Sequence, residues 1–223
     1  MKRAFTVYQY VAPAILAPTS FLLWRHEYRG NLRLMAAAWL VPVLWAYILP
    51  GIGTNVLKVW EFNTRLRLGR FRPHHGFVFG SATATLAWLV HVPVHSMANV
   101  AQSAFVLCSV LAFWNLLYDF EALQAGMLSV YNQPWADDQG SAAIAMDYAP
   151  WFFGGFGAVY GAGIGTMEWL NTRGLLSAPM FAFAFTSMLI LALTIPVAGY
   201  VVRSRRKHGH SGIHPIRRTC QSD

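Results

Sequence analysis

The sequence predicts an all-α, polytopic membrane protein of about six transmembrane helices, and two observations carry that expectation. First, 56% of its 223 residues are hydrophobic and only 12% are charged, against roughly a quarter charged in an ordinary soluble domain. Second, the apolar residues fall in long runs separated by short polar loops, and a span needs about 20 of them. This balance excludes a single water-soluble domain and a disordered chain. With two cysteines, Cys108 in an apolar run and Cys220 near the end, a disulfide scaffold is excluded as well.

The predicted spans are 5–24, 34–57, 77–94, 100–117, 151–170 and 175–202. The first follows a basic start and carries Pro13 and Pro18, so it reads as a retained helix rather than a cleaved leader. The domain organisation expected is a transmembrane region, 1–202, and a basic, disordered tail, 203–223, with His208, His210 and His214 solvated. Orientation follows from the basic residues. Thirteen Lys and Arg fall at the start, in the loop after the second span and in the tail, and four fall on the other side: Arg25, Arg29, Arg33 and Arg173. That places both termini in the cytoplasm. The net charge of +8 is read the same way, as orientation and contact with anionic lipid rather than nucleic acid.

The chain contains a candidate internal repeat. Trp45 is followed 17 and 18 residues later by Phe62-Asn63, and Trp114 at the same distances by Tyr131-Asn132. Further on, Phe77-Val78-Phe79-Gly80 matches Trp151-Phe152-Phe153-Gly154. Two crossings separate the copies, which makes them parallel repeats with a site between them at the cytoplasmic ends. Gly157, Gly161 and Gly165, each four apart, form a small-residue packing face. The same face is the expected place for any oligomer contact.

Three groups bear on chemistry. Lys58 to His75 holds five cations and two histidines in 18 residues, a set that serves as a topology signal or holds a phosphate. Its one acid, Glu61, lies between Trp60 and Phe62 and is either salt-bridged to an arginine or a proton donor. At the end of the fourth span Asn115 and Asp119 lie one helical turn apart with Tyr118 beside them, and Glu121 follows. Ionisable groups at that depth are functional candidates. His91 and His95 have the i, i+4 spacing of a metal pair. They are about 27 Å of helix from His74 and His75, so the four do not share an ion. No metal or cofactor is expected.

The stretch Val59-Trp60-Glu61-Phe62-Asn63, after Trp45 and before Pro73, resembles the membrane lycopene cyclase domain. That family carries a Trp-x-Phe-Asn loop and then a Pro-x-Glu-Glu segment opening the next helix, in each of two repeats. Here His74-His75-Gly76 stands where the glutamate pair would follow Pro73. The resemblance implies an acid-initiated cyclisation or isomerisation of an isoprenoid, with the acid drawn from Glu61 or Asp119 and with Asn115 and Tyr118 tuning it. Trp45, Trp60 and Trp114, with Asn63 and Asn132, are the expected substrate-binding residues, since aromatic faces stabilise a carbocation. The alternative is a non-catalytic membrane protein, a substrate-binding component of a transporter or a subunit of a larger complex.

Overall fold

The computed structural model describes residues 2–218, apart from the Lys2 side chain, so Cys220 and the last part of the tail lie outside the described residues. Long helices dominate. They are α1 (Lys2–Glu27), α2 (Leu32–Met35), α3 (Val41–Gly51), α4 (His75–Leu89), α5 (Met97–Gln124), α6 (Gln133–Ala136), α7 (Ser141–Ala149), α8 (Gly155–Thr172) and α9 (Ala178–His208). Three helical stretches, Leu32–Val56, Met97–Gln124 and Ala178–His208, are long and apolar enough to cross a membrane.

The boundaries depart from the sequence reading in four places. The fourth expected span does not stop at 117: α5 starts on a Ser96 cap and runs on to Gln124, which keeps Asp119 and Glu121 helical. The loop expected up to residue 150 is largely helix, because α7 passes through a π turn, Pro150–Gly154, into α8. A π turn absorbs the missing N–H of Pro150 without ending the helix. A three-residue strand, β1 (Trp60–Phe62), pairs antiparallel with β2 (Leu128–Val130) in the two loops that the sequence left irregular. Finally, the helix does not stop at 202. α9 continues to His208 and stops at Gly209, whose φ of 79° is the left-handed conformation that closes a helix.

The end of α9 and the residues that follow it are tied to the body. His208 Nε2 and Lys207 Nζ meet the buried Asp147 carboxylate at 2.8 and 3.2 Å. The Ile216 N–H donates to the Tyr131 carbonyl at 3.0 Å. A carboxylate 2% exposed needs charged partners, and the basic end of α9 supplies them.

Prolines inside helices set much of the packing. A proline at position i leaves the carbonyl at i−4 without its helical N–H. Pro196 frees Ala192 O, and Trp45 Nε1–H donates to it at 2.8 Å. Pro42 frees Ala38 O, and the buried Tyr160 hydroxyl donates to it. Pro13 frees Gln9 O, which the His74 ring reaches. These contacts fasten α3 to α9, α8 to the helix of α3, and α4 to α1.

Glycines set the closest helix approaches. A methyl group at Gly157 or Gly161 would come within 2.3 and 2.4 Å of the backbone oxygens of Leu107 and Ser103. The stripe is therefore filled by α5 of the same chain. Substituting Gly161→Leu would force α5 and α8 apart. We expect it to lower stability by about 1–3 kcal/mol, read as a drop in melting temperature in detergent. An unchanged melting temperature would mean that the stripe faces lipid.

Candidate functional site

At the end of the bundle that carries the two strands lies a cavity with about 900 Å³ of empty space, counting its mouth. Its walls come from α1, α3, α4, α5 and the π turn before α8, and both strands contribute to it. The lining is largely aromatic, with Trp45, Trp60, Phe79 and Phe153 prominent. Three rings stand near one another there: Trp45 and Phe79 centroids are 5.2 Å apart, Phe79 and Phe153 5.6 Å, and Trp45 and Phe153 6.2 Å; a further pair, Trp60 and Phe152, lies at 5.3 Å.

Polar groups enter this wall at two places. From α5 come Asn115, Tyr118 and Asp119. Asn115 Nδ2 donates to Leu111 O one turn back at 2.8 Å, which fixes the amide. Asp119 is 8% exposed, and Tyr148 Oη donates to its Oδ2 at 2.6 Å. From the start of α4 come Arg72 and His75, both buried. Arg72 Nη2 lies 2.7 Å from His75 Nδ1. Its guanidinium also lies beside the Tyr118 hydroxyl and 5.2 Å from the Phe62 ring centre. His74, just before α4, has its pKa lowered by burial and by the neighbouring Arg72 cation, against the Gln9 carbonyl, which raises it.

Asp119, Asn115, Tyr118, Trp45 and Trp60 thus meet in one cavity. Glu61 does not join them. Side chains alternate faces along a strand, so Trp60 and Phe62 face the cavity and Glu61 faces out. There Glu61 takes Arg67 Nη1 at 3.0 Å and the Tyr131 hydroxyl at 2.8 Å. The Tyr131 phenol is raised in pKa by burial first and by this bond second. Glu61 and Asp119 are therefore not a pair of acids. Trp114 is also absent from the site; it is 52% exposed on the outer face of α5, beside Phe113.

The two asparagines do not line this cavity and are unlike each other. Asn63 is exposed and donates to Ser129 Oγ at 2.9 Å. Asn132 is buried, caps α6, and donates to Ile144 O at 3.0 Å. The strand register explains the difference. Glu61 pairs with Ser129 and Phe62 with Leu128, so Phe62 faces inward while Tyr131 meets Glu61 outside. Phe62-Asn63 and Tyr131-Asn132 are therefore not equivalent positions in the sheet.

Three cavity residues escaped the sequence reading as members of one site. Arg72 and His75 were visible only within a basic run, and what separates Arg72 from Arg65, Arg67 and Arg70 is its place at the opening of α4. Tyr148 lay in the stretch between the fourth and fifth expected spans, which read as a loop. The i, i+4 spacing of Ile144 and Tyr148 on α7 was the available signal.

At the opposite end of the bundle a second buried cluster has formed. Glu168 of α8 accepts the Tyr28 hydroxyl at 2.6 Å, His91 Nε2–H at 2.6 Å and the Val94 N–H at 3.0 Å. His91 Nδ1 faces Glu27 at 3.5 Å. With three donors on one carboxylate, this is a clamp between α1, α8 and the segment after α4, and His95, which is exposed, takes no part in it.

No family model, curated protein or solved structure matches the chain, so its own chemistry carries the functional argument. Two substitutions separate the acids by role. Glu168→Gln should lower stability by about 3 kcal/mol or more, as breaking a buried pair does. Glu61→Gln should change it by less than about 1 kcal/mol, as for exposed pairs, and leave any turnover intact. Parallel thermal unfolding of the two variants checks both.

Proposed function

We propose that the chain is an integral membrane enzyme that cyclises or isomerises a hydrophobic isoprenoid or related lipid, with Asp119 as the acid. The observation that carries this reading is Asp119 itself: a carboxyl buried in the wall of an aromatic cavity, with Oδ2 held by Tyr148 and Oδ1 left for a substrate. In the proposed step Asp119 gives its proton to one carbon of a substrate alkene. The alkene's π electrons form the new C–H bond and leave a carbocation on the other carbon. A second alkene attacks that centre to close a ring. Loss of a proton from the adjacent carbon forms the product double bond and returns the proton to Asp119. Atoms and charge balance without an oxidant or a co-substrate. The faces of Trp45, Trp60 and Phe79 stabilise the intermediate cation, and the buried setting keeps water from capturing it.

The proposal includes the architecture around the site: six spans with both termini in the cytoplasm, supported by the division of Lys and Arg between the two sides. It also includes a duplicated helix pair. Gly80 packs on Val43, and Gly154 packs near Ala112 and Cys108. Val43 and Ala112 each stand two residues before the tryptophan of their helix, Trp45 and Trp114. That equivalence supports repetition in the helices, although the loops have diverged.

A second reading, ligand binding without turnover, is favoured by Arg72, since a buried guanidinium suits recognition as well as catalysis.

Asp119→Asn distinguishes the two. In the enzyme it should lower turnover by about 10²–10⁴-fold, the usual contribution of a general acid, in a protein that still folds. Mass spectrometry of lipid extracts from cells expressing either form reads this. Unchanged products would favour the binding protein. For topology, a cysteine placed at Ser96 should be labelled from outside the cell, and labelling from the cytoplasm alone would overturn the orientation.

A further inference from the structure

The cavity holds a cation that the proposed acid chemistry does not use. Arg72 is 3% exposed, and among the described residues no carboxylate is ion-paired with it; its Nε–H has no partner at all. An unpaired buried charge is costly. The contact with His75 gives this group a direction. Arginine has five N–H donors and no acceptor, so at 2.7 Å His75 Nδ1 must accept. That makes the imidazole the neutral tautomer carrying its proton on Nε2. Arg72 and His75 together therefore present only donors, with one positive charge, at the edge of a largely aromatic cavity whose other polar groups, Asn115, Tyr118 and Asp119, come from α5. Tyr118 and Phe62 hold the guanidinium in place. A neutral hydrocarbon has no use for such a group, whereas an anionic oxygen does.

We propose that Arg72 and His75 form a headgroup subsite for a carboxylate or phosphate at the end of an apolar chain whose body lies along the aromatic wall. The proposal rests on the reading of this cavity as the substrate site. It narrows the substrate class to anionic amphiphiles. Arg72 is then a binding residue, and His75 both binds the head and orients the guanidinium. The headgroup holds one end of the chain while Asp119 addresses a double bond farther along it, which converts an encounter in the bilayer into a fixed register.

The test uses the full chain in nanodiscs of phosphatidylcholine, which offers no competing anionic lipid. The probes are farnesoic acid, farnesyl phosphate and farnesol, which share one chain and differ in the head. Binding is followed through quenching of tryptophan fluorescence, since Trp45 and Trp60 line the cavity. At least one anion should bind about tenfold or more tightly than farnesol, and the better of the two identifies the head. Arg72→Gln should bring both anions to the level of farnesol and leave farnesol unchanged. His75→Phe, which removes the acceptor that aims the guanidinium, should weaken the preference as well and serves if Arg72→Gln does not fold. Equal binding of all three probes to the unmodified protein would overturn the proposal, and so would a preference that survives in Arg72→Gln. Asp119→Asn should keep the headgroup preference. Loss of the preference with turnover still dependent on Asp119 would remove the subsite and leave the enzyme. A preserved preference with turnover indifferent to Asp119 would do the reverse.

Discussion

A helix that contains proline exposes a carbonyl, and in a hydrocarbon setting that carbonyl has no water to turn to. Here the partners are side chains of other helices: Trp45 for Ala192 and Tyr160 for Ala38. Each such bond is local in its cause and tertiary in its effect. It specifies which helix lies against which, and in what rotation, because an indole or phenol must reach one particular oxygen. The aromatic wall of the cavity follows from it. Trp45 can line the cavity only because its N–H is already spent on α9, which leaves the face of the ring turned to the space beside it.

The same economy governs the acids. Nine Asp and Glu are present in the whole chain, and among the described residues three of them are buried: Asp119, Asp147 and Glu168. Asp147 is neutralised by the basic end of α9, and Glu168 is saturated by donors from α1 and the segment after α4. Asp119 takes a single phenol, that of Tyr148, and has open volume beside it. Burial by itself does not mark a working group; the kind of partner does. Two of these carboxyls hold the bundle together at its two ends, and the third is set in a cavity.

Long apolar runs made the helices legible, and the one-turn spacing of Asn115 and Asp119 made half of the cavity legible. The strands were not legible, because three residues are too few to display an alternation. That gap is why Glu61 read as a partner of Asp119: in a loop of unknown geometry, an acid between two aromatics can point anywhere. Trp114 misled for a different reason. Composition cannot tell a tryptophan facing a cavity from one facing lipid, since both surroundings are apolar. The end of α9 was misread because a run of basic residues looks solvated unless the buried carboxylate that receives it, Asp147, is known in advance.

The pairing of β1 with β2 places opposite demands on neighbouring residues. Trp60 and Phe62 are committed to the interior, whereas Glu61 and Asn63 belong to the polar surface. Insertion or deletion of one residue between Gly53, whose α-carbon sits against the Trp60 ring, and the strand would exchange the two sets and turn a carboxylate into the hydrocarbon-like interior. The segment can therefore drift in composition on its outer face while its length is held fixed. Among homologous chains, this is where gaps should be rarest even as outward residues vary most freely.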